Sequence, residues 1–267
     1  MTEVVAQPWN KRLAIVLFAL YAASVVYIVF CVLAGIATPH WVLTSTTLLF
    51  FGFAVTHAAE QLGARSMLVF LGVSFFVSFG FETVGVLTGV IYGPYYYTDK
   101  LGPKLGVVPF LIPLAWFMMM YASYAIVRAI CGETRKTLFW TLWFALLGAM
   151  TMTVWDLGMD PQMVRQGHWV WTAGGAYFGI PVHNFLGWLL TTFVVFLLYR
   201  WYENTQAPRG WQFDEPFALL PIAAYAAQGL ATIVTDAAIG MRAPALIAFF
   251  AMGAFLLSAV SRLASKS

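Results

Sequence analysis

Apolar residues fill eight runs of this chain, separated by shorter stretches that gather Gly, Pro and charge. The runs are Leu13–Ile36, Trp41–Ala59, Ser66–Ile91, Val107–Ile130, Leu138–Leu157, Ile180–Tyr202, Phe217–Ile239 and Pro244–Leu263. Each is close to the ~20 residues a helix needs to cross ~30 Å of hydrocarbon. Backbone groups in lipid must bond one another, which leaves helices or a closed barrel, and these runs are too long for barrel strands. The pattern predicts an all-α polytopic membrane helical bundle of about eight transmembrane helices, forming one integral membrane domain over residues 1–267. The short turn Gly240–Pro244 predicts a tight hairpin for the last two spans. Two connections are long, Tyr92–Gly106 and Gly158–Gly179, and both are rich in aromatics, Gly and Pro. Long ordered-looking loops in an economical chain are commonly functional. These two are expected to fold back over a cavity. Glu203–Glu215 reads instead as an ordinary cytoplasmic linker.

Composition supports the membrane reading. The chain is 61% hydrophobic and 9% charged, with mean hydropathy +0.81, against about 25% charged residues in soluble domains. The first apolar run follows a polar start and precedes no small-residue cleavage site, so it reads as a retained span, not a signal peptide. The net charge of +3 is dispersed and gives no basic patch for nucleic acid. With eight spans, one side holds Lys11, Arg12, Arg65, Arg128, Arg135, Lys136, Arg200, Arg209, Arg262 and Lys266, which is 10 of the 14 Lys and Arg. The positive-inside bias puts both termini in the cytoplasm and the two long loops outside.

Against this background Glu82 stands out, because it lies deep in the third run. A carboxyl at that depth costs several kcal/mol unless it is paired, faces a wet cavity or carries a proton. Glu82 is therefore a candidate catalytic acid, with a structural hydrogen bond to a neighbouring helix as the plainer alternative. Other polar residues gather toward the same end of the bundle. Asp156 and Asp160 share a face at i, i+4 if the fifth helix continues that far. Both are catalytic candidates, and both also suit caps of a helix that stops before Pro161. By depth, Glu82 is expected to be the general acid. Asp156, expected nearer the outer water, is the water-activating base. His183 and Asn184 open the sixth span, and Asp236, more in keeping with a turn, closes the seventh. His57 and Glu60, at i, i+3, read as an interfacial pair at the cytoplasmic end. Tyr121 and Tyr124 read as belt residues there.

Several chemistries lack their residues. There is no His-x-x-x-His or Glu-x-x-His ligand pair within a span, so no metal site is expected. There is no Gly-x-Ser-x-Gly elbow and no Walker phosphate loop. The late spans contain no Lys for a retinal Schiff base. Cys31 and Cys131 form neither a redox motif nor a disulfide framework. Aromatics crowd the polar end instead: Tyr92, Tyr95, Tyr96, Tyr97, Trp155, Trp169, Trp171, Tyr177 and Trp188. Such residues commonly form an interfacial belt. At this density they also suit a pocket that stabilises a cation, at up to about 2 kcal/mol per desolvated ring.

Two blocks carry a family resemblance. The first is Phe81-Glu82-Thr83-Val84-Gly85 through Tyr92-Gly93-Pro94-Tyr95-Tyr96-Tyr97-Thr98 to Trp116. The second is Trp155-Asp156-Leu157, Asp160-Pro161, Gly167-His168-Trp169-Val170-Trp171, Tyr177-Phe178-Gly179-Ile180-Pro181, Asn184-Phe185 and Gly187-Trp188. Residues 66 to 190 resemble the membrane carotenoid hydratases, which include γ-carotene/lycopene 1,2-hydratases and bisanhydrobacterioruberin hydratase. The resemblance implies addition of water across the terminal C1–C2 double bond of an acyclic carotenoid, without metal or redox cofactor. It also implies a lipophilic carotenoid substrate entering from the membrane lipid, and other carotenoid-pathway enzymes as possible partners. Tyr92, Tyr95, Tyr97, Trp155, Trp169, Trp171, Tyr177, His183, Asn184 and Trp188 are the expected substrate-binding residues. A membrane carotenoid cyclase and a proton-coupled transporter are the rival readings.

Overall fold

The computed structural model describes residues 8–132, 135–207, 211 and 213–265. Arg209 and Lys266, counted above for orientation, lie outside them. Among the described residues, eight helices are long and apolar enough to cross a membrane. They are α1 (Pro8–Leu33), α2 (His40–Leu62), α3 (Ala64–Thr88), α4 (Leu111–Cys131), α5 (Leu138–Arg165), α6 (Val182–Thr205), α7 (Leu220–Ala238) and α8 (Arg242–Ala264). The protein is an all-α polytopic membrane bundle, as the hydropathy pattern predicts.

α4 is the central post, packed against α2, α3, α5, α7 and α8. It is buried almost throughout, which agrees with a helix that is apolar on all sides. α1 and α8 lie at the edge and present Val26, Phe30, Leu33, Phe249, Phe250 and Leu257 outward, the faces that lipid would cover. α7 and α8 form the expected hairpin.

Tyr121 and Tyr124 are fully buried, not belt residues. Tyr124 donates to Glu203, which also pairs with Arg200 at the end of α6. Glu203 to Thr205 thus belong to a helix, not to the linker. His57 is likewise buried and does not pair with Glu60. Its Nδ1 bonds the Tyr121 hydroxyl at 2.6 Å and its Nε2 the Phe217 carbonyl at 2.8 Å. A residue three positions away cannot compete with neighbours that already occupy both ring nitrogens.

The two long loops meet. β1 (Tyr95–Tyr97) and β4 (Trp169–Trp171) form an antiparallel ribbon that pairs Tyr95 with Trp171 and Tyr97 with Trp169. Side chains alternate across a strand. Tyr95, Tyr97, Trp169 and Trp171 therefore turn inward, while Tyr96 is 49% exposed. A second ribbon, β2 (Lys104–Leu105) with β3 (Val108–Pro109), leads into α4. Lys104 donates to the Tyr97 carbonyl at 2.9 Å and to Asp99 at 3.0 Å, tying the two ribbons together.

Tyr92 anchors this cap. Its ring lies between Gly85 of α3 and Gly187 of α6, where an added Cβ at either position would come within 2.5 Å of it. Its hydroxyl meets Thr191 at 2.7 Å. Only glycine leaves room for an aromatic ring at this helix crossing.

α5 departs most from expectation. It runs to Arg165 with Pro161 inside it, eight residues past Leu157. The second loop is correspondingly shorter, 166–181. Proline has no N–H to give the carbonyl four residues back, which leaves Leu157 without its helical donor. The Tyr177 hydroxyl takes that place at 2.7 Å. Burial, with the nearby Asp236, pushes the Tyr177 hydroxyl up to about 12, so it remains a donor at neutral pH. Tyr177→Phe is expected to strand that carbonyl and cost about 1–3 kcal/mol of stability. The measurement is the temperature at which the detergent-solubilised protein loses its fold. An unchanged midpoint would contradict the role given to Tyr177.

Candidate active site

The cap and the helix ends line a partly open cavity of about 930 Å³. Val25, Ile28 and Val32 of α1, residues of α2, and Glu82, Asp160, Asn184 and a group of aromatics line it. Two separate carboxylate centres therefore meet one cavity.

The first is Glu82, which is 3% exposed. Its Oε2 accepts hydrogen bonds from Tyr95 and, at 2.7 Å, from Tyr97, and its Oε1 accepts from Trp116 Nε1 at 3.0 Å. Burial, reinforced by the adjacent Glu82 charge, holds both tyrosine hydroxyls well above the ordinary tyrosine range, so both stay protonated donors. Glu82 thus sits in a cradle of three donors drawn from β1 and α4.

The second centre is the aspartate pair on α5. Because the helix continues through Pro161, Asp156 and Asp160 fall on one face, and both are buried. The Asn184 amide spans them, donating to Asp156 at 3.1 Å and to Asp160 at 2.5 Å. Asp160 lines the cavity, while Asp156 does not. Asp156 lies one helical turn before Asp160 on α5 and has no exposure at all.

Indoles join the two centres. Trp116, bonded to Glu82, stacks on Trp188 with ring centroids 4.1 Å apart, and Trp188 meets Trp155 edge-on at 6.0 Å. Trp188 is one helical turn beyond Asn184, and Trp155 immediately precedes Asp156. Trp171 stacks on Tyr95 and donates to the Tyr92 carbonyl at 2.8 Å.

Of the expected site residues, Glu82, Tyr92, Tyr95, Tyr97, Trp155, Asp160, Trp169, Trp171, Asn184 and Trp188 line the cavity. Two do not. His183 is exposed, because the helical step from inward-facing Asn184 turns it about 100° away. Tyr177 is outside the cavity, with its hydroxyl committed to Leu157. Trp116 was missed as a site residue. It lies within the first resemblance block, but its indole N–H identifies itself only when α4 is seen beside α3. Among the described residues, no group of three or more His, Cys, Asp or Glu side chains is arranged to hold a metal ion.

A family model described as carotenoid biosynthesis protein matches residues 40–255. The chain belongs to this carotenoid biosynthesis family. The match takes in every residue of both carboxylate centres and the whole cap, while α1 lies before it. Among curated proteins, the bisanhydrobacterioruberin hydratase of Haloarcula japonica is 34% identical over 143 residues, covering 53% of this chain and 47% of that protein. The chain thus matches about half the length of that relative. No solved structure matches it.

Proposed function

We propose that this protein is a carotenoid hydratase, adding water across the terminal C1–C2 double bond of an acyclic end of lycopene or γ-carotene type. The observation that carries this reading is the pair of differently wired carboxylate centres on one aromatic cavity. Family membership and the hydratase relative support it.

The wiring supports one division of roles. A carboxylate is acceptor-only, and three donors converging on Glu82 suit its ionised form. Two carboxyls beneath one amide in a buried site do not both carry full charge, so the Asp156–Asp160 pair holds a proton. Asp160, the member that faces the cavity, delivers this proton to C2 and leaves a tertiary cation at C1. The indole faces and the Glu82 carboxylate stabilise that cation. Water then adds at C1 and gives up a proton to Asp160, which restores the pair. The sum is substrate plus water, with no change of oxidation state and no cofactor consumed. This differs from the roles that depth alone suggests: Glu82 is a fixed anion, and the aspartate pair, through Asp160, is both acid and base.

The charge asymmetry supports a topology with both termini in the cytoplasm and the cap on the opposite side. The polyene enters from the lipid, supplied by other carotenoid-pathway enzymes in the same membrane.

The test is pigment analysis of a lycopene-producing host expressing this chain. The expected product is more polar and heavier by one water. A product of unchanged mass would indicate a cyclase. Unaltered pigment would favour transport or binding, and either result contradicts hydration.

A further inference from the structure

A residue that both lines the cavity and reaches the exterior marks where the cavity opens. Among the described residues, the exposed members of the lining are Thr38, Trp41, Asp99, Lys100, Gly102 and Gln166. They belong to three segments at one end of the bundle: the turn from α1 into the start of α2, the first cap loop, and the residue that follows α5. The walls around the carboxylates are closed, with Glu82, Trp116, Asp160 and Asn184 each exposed by 3% or less. Lys100 ties two of the three segments together, donating to the Gln166 carbonyl at 2.5 Å. Trp41, 60% exposed, has no hydrogen bond to that strap among the described residues; its carbonyl accepts from Ser45 within α2. The mouth is therefore bounded by Trp41 and by the Lys100–Gln166 strap. Its lip is mixed in character, since Val32 and Trp41 are apolar while Asp99 and Lys100 are charged.

We infer that the polyene passes through this mouth across Trp41, so that one end group reaches the carboxylates while the rest of the molecule stays outside in the lipid. This rests on the carotenoid reading of the cavity and adds to it the point of entry and the residue that guides the chain. A conjugated polyene is a stiff rod, because twisting its bonds breaks the conjugation. It does not coil inside a cavity, so a rod whose end lies among closed walls must leave through the opening. Trp41 offers it a flat apolar face. Leu33 and Ile36, 70% and 51% exposed, continue the apolar surface outward from Val32 toward the lipid. The charged part of the lip leaves water its own access to the same mouth.

The test places a bulky group in the mouth. W41C is labelled with a large maleimide and the extent of labelling is read by mass. Uptake of lycopene from phosphatidylcholine vesicles and formation of alcohol are then compared with the same variant unlabelled. Both are expected to fall about 10-fold or more on labelling, a cost that a blocked entry readily exceeds. F250C, on the outward face of α8 where Phe250 is 68% exposed, is the control, and labelling it should change neither readout. The unmodified protein treated with the reagent accounts for Cys31 and Cys131. In W41A, KM should rise about 10-fold with kcat unchanged, because the ring touches only the part of the rod that does not react. If W41C does not fold, T38C takes its place. Fully labelled W41C or T38C that keeps both uptake and hydration overturns the inference, and so does an equal loss in labelled F250C. Absence of lycopene uptake by the unmodified protein also overturns it. Uptake without alcohol in the unmodified protein would instead refute the hydratase reading, and the uptake comparison then decides the mouth alone.

Discussion

Replacing Asp160 with Asn is expected to cut hydration by about 10³-fold or more, because one residue loses both its general-acid and its general-base role. Asp160 is the member of the aspartate pair that lines the cavity, and Asn184 holds it beside Asp156. Asparagine keeps the shape and can still accept from Asn184, so the helix pair should remain closed and the protein should still bind pigment. What disappears is a group able to give a proton to C2 and take one from water. Asp156→Asn should cost less, since Asp156 does not reach the cavity and acts only through the proton it shares. Product formation per mole of membrane-inserted protein is the measurement. Near-normal hydration in Asp160→Asn would remove the pair from the chemistry.

Glu82→Gln is expected to lower hydration by roughly 10²-fold, the scale of a lost preorganised electrostatic partner. The substitution preserves volume but removes the negative charge that faces the developing cation. It also sets an amide donor against the donors Tyr95, Tyr97 and Trp116, so one of those contacts must turn. The loss should be smaller than that of Asp160→Asn, and deuterium exchange at C2 in heavy water and hydration should fall in step, because the cation itself becomes harder to form. The opposite order, with Glu82→Gln inactive and Asp160→Asn active, would return the proton to Glu82.

The eight spans were legible because lipid imposes one rule on every backbone group and the apolar runs obey it. The aromatic cap was legible in kind, since its Trp and Tyr density exceeded what a belt requires. Details fixed by distant partners were not. Asp160-Pro161 reads locally as a helix stop, yet the helix continues because a tyrosine 20 residues away supplies the donor that Pro161 lacks. That continuation brings Asp156 and Asp160 together and buries Asp156. Asn184 and His183 are equally polar neighbours, and only the phase of α6 against α5 turns one inward and the other out. Glu82 announced itself by depth, but its three donors come from a loop and another helix, so its cradle had no local signature.

If the protein is a hydratase, water itself is the second substrate. The most direct measurement is the origin of the new hydroxyl oxygen, followed by mass spectrometry with heavy oxygen supplied either in water or as dioxygen. Label is expected to enter from water, in a product heavier by one water. Label arriving from dioxygen would show an oxidative hydroxylation and contradict hydration.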